Sequence, residues 1–147
     1  MRRYMLVLPI LFACAKKEAP SADSAAAAMP PALSDADIAG SWSGNLMAEG
    51  SDSVIATWSD TCGGGSCRLV ISLAPKDTLV NNYTISGDSV MYSSNGPSKD
   101  AATGAMVTDA GVARITGNQI RGSGMTRLAD KPDSVVTRYR FTGTKNP

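Results

Sequence analysis

Histidine is absent from the 147-residue chain. That removes the side chain that titrates nearest neutral pH, and with it an imidazole base, a histidine-ligated metal and a Ser-His-Asp triad. Glutamate occurs only as Glu18 and Glu49. No GxSxG elbow, no GKS or GKT phosphate loop and no second pair of metal-spaced cysteines is present. Neither an enzyme nor a cofactor is therefore expected. The chain has no sustained 3.6-residue apolar periodicity, and its longest apolar run, Tyr4 to Ala13, falls far below the roughly 20 residues that cross a bilayer as a helix. Two Trp, four Tyr and two Phe are too few for the paired aromatic girdles of a membrane-spanning barrel.

What the first residues do contain is an address. Arg2 and Arg3 precede the apolar run, which ends Leu11-Phe12-Ala13-Cys14. A charged start, a short apolar segment and a small residue before the cut make a secretory signal. With cysteine just after the cut, this segment resembles a bacterial lipoprotein signal, whose lipobox ends on the cysteine that receives lipid. The resemblance implies cleavage after residue 13, diacylglycerol on Cys14 and acylation of the new amino terminus. Several acyl chains at ~0.8 kcal/mol per buried CH₂ anchor a protein firmly. Ala15 rather than Asp follows the cysteine, which in such lipoproteins implies delivery to the outer membrane. An ordinary secretory signal with an incidental cysteine is the alternative.

Residues 14–33 continue as CAKKEAPSADSAAAAMPPAL. Alanine, proline, serine and scattered charge cannot bury enough apolar area to offset chain ordering. A flexible tether of this length reaches ~25 Å. The single folded domain is then 34–147, large enough to hold one core unaided.

With Cys14 carrying lipid, Cys62 and Cys67 remain as a pair in TCGGGSCR. The spacing is not the CxxC of redox and metal sites, so a structural disulfide in an oxidising compartment is expected.

Short runs rich in Val, Ile, Thr and Tyr, separated by Gly, Asp, Asn and Pro, predict strands near 41–48, 53–62, 67–74, 79–86, 89–94, 105–116, 119–128 and 134–143. Facing cysteines would set Trp58 opposite Ile71, Ala56 opposite Leu73 and Asp60 opposite Leu69, all on one face. Thr61 and Arg68 then fall on the other. Two-residue turns at Gly87-Asp88 and Gly117-Asn118 would pair Ile85 with Val90, Tyr83 with Tyr92, and Ile115 with Ile120. The apolar residues collect on one face in each hairpin, as a fixed register requires. The expectation is an all-β domain: a single antiparallel meander of about eight strands closing into an up-and-down barrel, with a β-sandwich as the alternative.

DADIAGSWSGNL, with Gly40-Ser41-Trp42 opening the first strand, resembles the GxW start of lipocalins and related calycin barrels. The resemblance implies that Trp42 plugs one barrel end and that an arginine of the last strand, Arg140 or Arg138, packs over it. It also implies an interior that accepts a small apolar ligand, lined here by Trp58, Ile71, Tyr83, Tyr92, Tyr139 and Phe141. Asp60 would then sit inward at the rim with its carboxylate in water.

Charge is uneven. Residues 34–100 hold Arg68, Lys76 and Lys99 against Asp35, Asp37, Glu49, Asp52, Asp60, Asp77, Asp88 and Asp100, whereas residues 101–147 are mostly basic. The hairpin register sets Arg114 opposite Arg121 on the outer face, with Arg127, Arg138 and Arg140 on the same side. This arginine face suits an anionic envelope component, whether lipid head group, lipopolysaccharide or wall polymer. Export and the lack of interleaved aromatics argue against nucleic acid. The sequence reading is thus an outer-membrane lipoprotein and a monomer, held to the membrane by lipid on Cys14. It would bind rather than catalyse, taking a small apolar ligand inside or, alternatively, a partner, scaffold or inhibitory target on the basic outer face.

Overall fold

A computed structural model describes residues 32–74 and 77–147. The proposed signal peptide, Cys14 and most of the tether lie outside the described residues. The order of elements is α1 (Asp35–Ile38), β1 (Gly40–Ala48), β2 (Val54–Gly63), β3 (Ser66–Ile71), β4 (Leu79–Ser86), β5 (Ser89–Ser94), β6 (Ser98–Lys99), β7 (Met106–Thr116), β8 (Gln119–Leu128) and β9 (Val135–Lys145).

Consecutive strands other than β5 and β6 pair antiparallel, and two further pairings close the sheet on itself. Strand β1 lies between β2 and β9, and β5 pairs directly with β7. The result is a closed up-and-down barrel of eight strands, with the two-residue β6 continuing the line of β5 along β7 after a break at 95–97. Closure leaves no long free edge for another chain to extend.

Each expected hairpin forms in the expected register. Trp58 pairs with Ile71, Asp60 with Leu69, Cys62 with Cys67, Tyr83 with Tyr92, Ile85 with Val90 and Ile115 with Ile120. The apolar partners point inward because the opposite register would expose all of them together. The disulfide Cys62–Cys67 is formed.

Two strand ends differ from expectation. Strand β3 stops at Ile71, where Ala74 N–H donates to the Ile71 carbonyl and turns the chain. Leu73 therefore does not face Ala56 in the barrel and is 61% exposed. Strand β9 runs on to Lys145, and that extension supplies the pairs Ser43–Thr144 and Trp42–Lys145. Helix α1 was not legible as a helix: it is a single turn, held by Asp37, whose carboxylate accepts from both the amide and the hydroxyl of Ser34 at 2.8 and 2.7 Å.

Helix α1 covers the barrel end that carries the 63–66, 87–88 and 117–118 turns. Ile38 is buried there, and its carbonyl accepts the indole N–H of Trp42 at 2.8 Å. Trp42, 1% exposed, plugs this end as expected. Its cover differs from expectation. Arg140 cannot reach it, because strand alternation turns Arg138 and Arg140 outward while Tyr139, Phe141 and Lys145 face in. Lys145 packs over the indole instead, with Nζ 5.5 Å from the ring centre, and donates to the Asp37 carbonyl at 3.2 Å. Arg140 donates to Asp52 and to the Ser51 carbonyl, each at 2.8 Å.

The middle of the barrel is filled by aromatic rings seated on glycine backbone. Phe141 meets Trp58 and Tyr92 edge to face at 6.0 and 5.9 Å, within the favourable range for such pairs. A Cβ added to Gly143 would lie 2.5 Å from the Trp58 ring, and one added to Gly111 would lie 2.6 Å from Cζ of Tyr92. A Cβ on Gly122 would collide with Phe141. Gly143→Ala should therefore lower stability by about 1–3 kcal/mol, the usual range for overpacking. Gly63→Ala, where nothing lies within 4 Å, should change it by less than about 0.5 kcal/mol. Urea unfolding reads both, and equal midpoints for the two variants would contradict this packing.

Candidate functional site

Three groups of residues stand out once the barrel is closed: a hydroxyl–carboxylate cluster inside, a solitary carboxylate beside the disulfide, and an open trough on the outer wall.

The inner cluster comes from β5, β7, β8 and β9. The Tyr139 hydroxyl donates to Asp109 at 2.6 Å and lies 2.9 Å from the Tyr92 hydroxyl. As the Tyr139 proton is committed to Asp109, Tyr92 is the donor in that second bond. Thr126 also donates to Asp109, at 3.4 Å. Burial pushes the Asp109 carboxyl up from its usual value, opposed by the bonds from Tyr139 and Thr126. Burial raises both phenols as well, reinforced by the Asp109 charge. The chain of bonds gives each buried polar tip a partner, which keeps the two tyrosines in the core.

Of the residues expected to line the interior, Trp58, Ile71, Tyr83, Tyr92, Tyr139 and Phe141 all belong to the core or pack against it. Trp58, Tyr92 and Tyr139 each meet the ring of Phe141. Tyr83 behaves differently at its tip, because its hydroxyl passes out to Asp35 at the foot of α1. That bond from Tyr83, with help from the Gly64 and Gly65 amides, holds the Asp35 carboxyl below its usual range.

Asp60 is inward and opposite Leu69 as expected, with Trp42 on its other side. Its Oδ1 is sealed from solvent and accepts no hydrogen bond, while the residue as a whole is only partly buried. Burial raises this carboxyl to about 7. One carboxylate oxygen of Asp60 and the sulfurs of Cys62 and Cys67 lie within 4.8 Å of one another. With both sulfurs joined in a disulfide, this trio offers no thiolate pair to a metal. Asp109, by contrast, escaped the sequence reading altogether. Its only signal was parity, as an acid two residues from Val107 and Gly111 on a strand whose odd positions are inward.

On the outer wall, Arg114 and Arg121 face each other across β7 and β8 as expected. Arg138 and Arg140 lie beside them on β9, paired across the strands with Met125 and Ser123. Three of these arginines meet acids: Arg114 with Asp88 at 3.7 Å, Arg138 with Glu49 at 3.9 Å and Arg140 with Asp52 at 2.8 Å. All three pairs are exposed, so each contributes little to stability. Arg121 meets no acid within 4 Å among the described residues. Arg127 is half-buried beside the register shift in β8, and its Nε has no hydrogen-bond partner.

Next to Arg114 and Arg121 the wall is hollowed. An open trough crosses β1 and β9, bordered by Ser43, Asn45, Thr142 and Thr144, and reaches Gln119 and both arginines. It continues past β1 to Thr57, Ser59 and Ser72. The floor is the Gly44–Gly143 pair. These residues lack the side chains that would hold the two strands off Trp58 and each other. The trough was not foreseen, because no sequence pattern marks an open groove on a barrel wall.

No protein-family model, curated protein or solved structure significantly matches this chain.

The raised carboxyl of Asp60 has a consequence for stability. A group that holds its proton to about pH 7 when folded, against an ordinary value of 3.8, binds more proton in the folded state between those limits. Stability contributed by Asp60 therefore falls as pH rises from about 4 to about 7 and is level above that. Asp60→Asn should remove this slope, leaving a variant more stable than the parent at pH 8 by on the order of a few kcal/mol. Urea titrations at pH 5 and 8 measure it, and parallel slopes for variant and parent would refute the assignment.

Proposed function

We propose that this chain is a lipid-anchored envelope protein of the outer membrane that binds, without catalysis, an anionic envelope component along its outer wall. The observation that carries the reading is the trough flanked by two guanidinium groups. Arg114 and Arg121 are held opposite each other despite like charge, an arrangement that an anion lying between them would relieve. Hydroxyl and amide side chains border the same trough and match the acceptors and donors of a sugar or a head group. The disulfide fits an oxidising compartment, and the lipobox resemblance at Leu11, Ala13 and Cys14 supplies the anchor.

A small apolar ligand inside the barrel is the second reading. Its support lies at the end opposite α1, where Val54 and Leu73 are 54% and 61% exposed and offer an apolar approach. Against it stand Phe141 and its ring partners, which occupy the space such a ligand would need. Native mass spectrometry after gentle purification separates the two, since an apolar guest would add a reproducible mass that denaturation removes.

For the first reading, Arg114→Glu with Arg121→Glu should abolish retention on anionic outer-membrane lipopolysaccharide and leave the unfolding free energy in urea within about 0.5 kcal/mol of the parent. Retention by the parent should weaken steeply with salt, because the contacts are exposed and ionic. Undiminished binding by the double variant would sink the proposal.

A further inference from the structure

Asp60 and Asp109 both carry a carboxylate into the barrel, and they are treated differently by the fold. Asp109 accepts from Tyr139 and Thr126. Asp60 Oδ1 accepts from nothing, although buried polar atoms are nearly always paired. The donors at its end of the barrel are spent elsewhere. The Trp42 N–H goes to the Ile38 carbonyl, the Tyr83 hydroxyl to Asp35, and the Lys145 ammonium to the carbonyls of Ala36 and Asp37. Of the remaining charges there, Asp37 is bound by Ser34 and Arg68 lies on the outward face of β3. What does face Asp60 is sulfur, both atoms of the disulfide lying within 4.8 Å.

A disulfide has no proton to donate, whereas two thiols have one each. Reduction of this pair would therefore place thiol protons beside the Asp60 carboxyl. We propose that Cys62–Cys67 is a redox-active disulfide, opened by a dithiol, whose reduction is coupled to proton transfer from Asp60.

The hairpin is built for a local change. Ladder pairs on both sides, Thr61–Arg68 and Gly63–Ser66, hold the two strands together whether or not the sulfurs are joined. Only four residues separate the cysteines, and closing so short a loop restricts the unfolded chain least, so the bond adds little that the ladder does not. Cys62 is 9% exposed and Cys67 more open, which sets the direction of attack. A thiolate of the incoming dithiol attacks Sγ of Cys67, the bond between Cys67 and Cys62 breaks, and its electron pair goes to Sγ of Cys62. Asp60, in its protonated form, gives its proton to that leaving sulfur. The second thiol of the reagent then attacks the mixed disulfide, which releases Cys67 to take a proton from solvent and leaves the reagent oxidised. Asp60 is reprotonated from solvent. Two electrons and two protons pass from dithiol to protein, and in reverse the Asp60 carboxylate accepts the Cys62 proton.

The test is the rate of reduction of the full-length chain by dithiothreitol from pH 5 to 9, divided by the thiolate fraction of the reagent. The parent's corrected rate should fall about tenfold between pH 6 and 8, as the acid that assists the leaving group is lost. Asp60→Asn should start low and stay flat, while Asp130→Asn, an exposed acid in the turn before β9, should follow the parent. Circular dichroism confirms that each variant is folded. A flat corrected rate for the parent, or a disulfide that resists reduction until the barrel unfolds, would overturn the proposal and leave the bond purely structural.

Discussion

Contact between aromatic rings and bare backbone governs this barrel. Eight strands enclose a space that side chains can fill by themselves, and here a few large ones fill it: Trp58, Tyr92, Tyr139 and Phe141. Rings of that size fit only because the facing wall is glycine at Gly111, Gly122, Gly124 and Gly143. The arrangement has two effects on opposite sides of the same strands. Inside, it makes a dense centre from few apolar residues, which suits a chain with only eight aromatic side chains. Outside, the same bare β1–β9 pair lines the floor of the trough. A single packing solution therefore shapes both the core and the surface most suited to a partner.

Much of this was legible before any coordinates. The two cysteines and the apolar alternation gave the same register independently, and that agreement extended to the Tyr83–Tyr92 and Ile115–Ile120 hairpins. Closure followed from strand count and the lack of a second apolar face. What escaped had physical reasons. The stop of β3 at Ile71 depends on a backbone turn bond, to which Leu73 contributes no signal. Helix α1 is too short for periodicity to reveal. The cover over Trp42 was assigned to Arg140 by resemblance, but alternation along VVTRYRFTGTK gives that place to Lys145. Asp60 was placed on the correct face, but the sealing of its Oδ1 was not legible, since nothing local announces the plug at that end. The signal segment and Cys14 remain as the sequence reading alone has them.

Electrostatics divides the molecule by depth. Outward charges are paired loosely or not at all, and the arginines of β7, β8 and β9 remain accessible. Among the described residues, Asp60 and Asp109 carry carboxyls inward, each at a position that shifts it toward the neutral form. Asp109 is integrated into a network that satisfies it. Asp60 is not, and burial of a polar atom without a partner is costly enough that a protein retaining it has reason to do so.

Strand β9 has the two systems interleaved one residue at a time. Arg138 and Arg140 belong to the wall, Tyr139 and Phe141 to the filling, with a single peptide unit between them. Substitution can alter either set without touching the other, so the surface is free to diversify over an unchanged interior. Insertion or deletion is another matter. One residue gained or lost between Thr137 and Thr142 would send guanidinium groups into the centre and expel the rings. Only exchange of one side chain for another, at fixed length, keeps both sets in place.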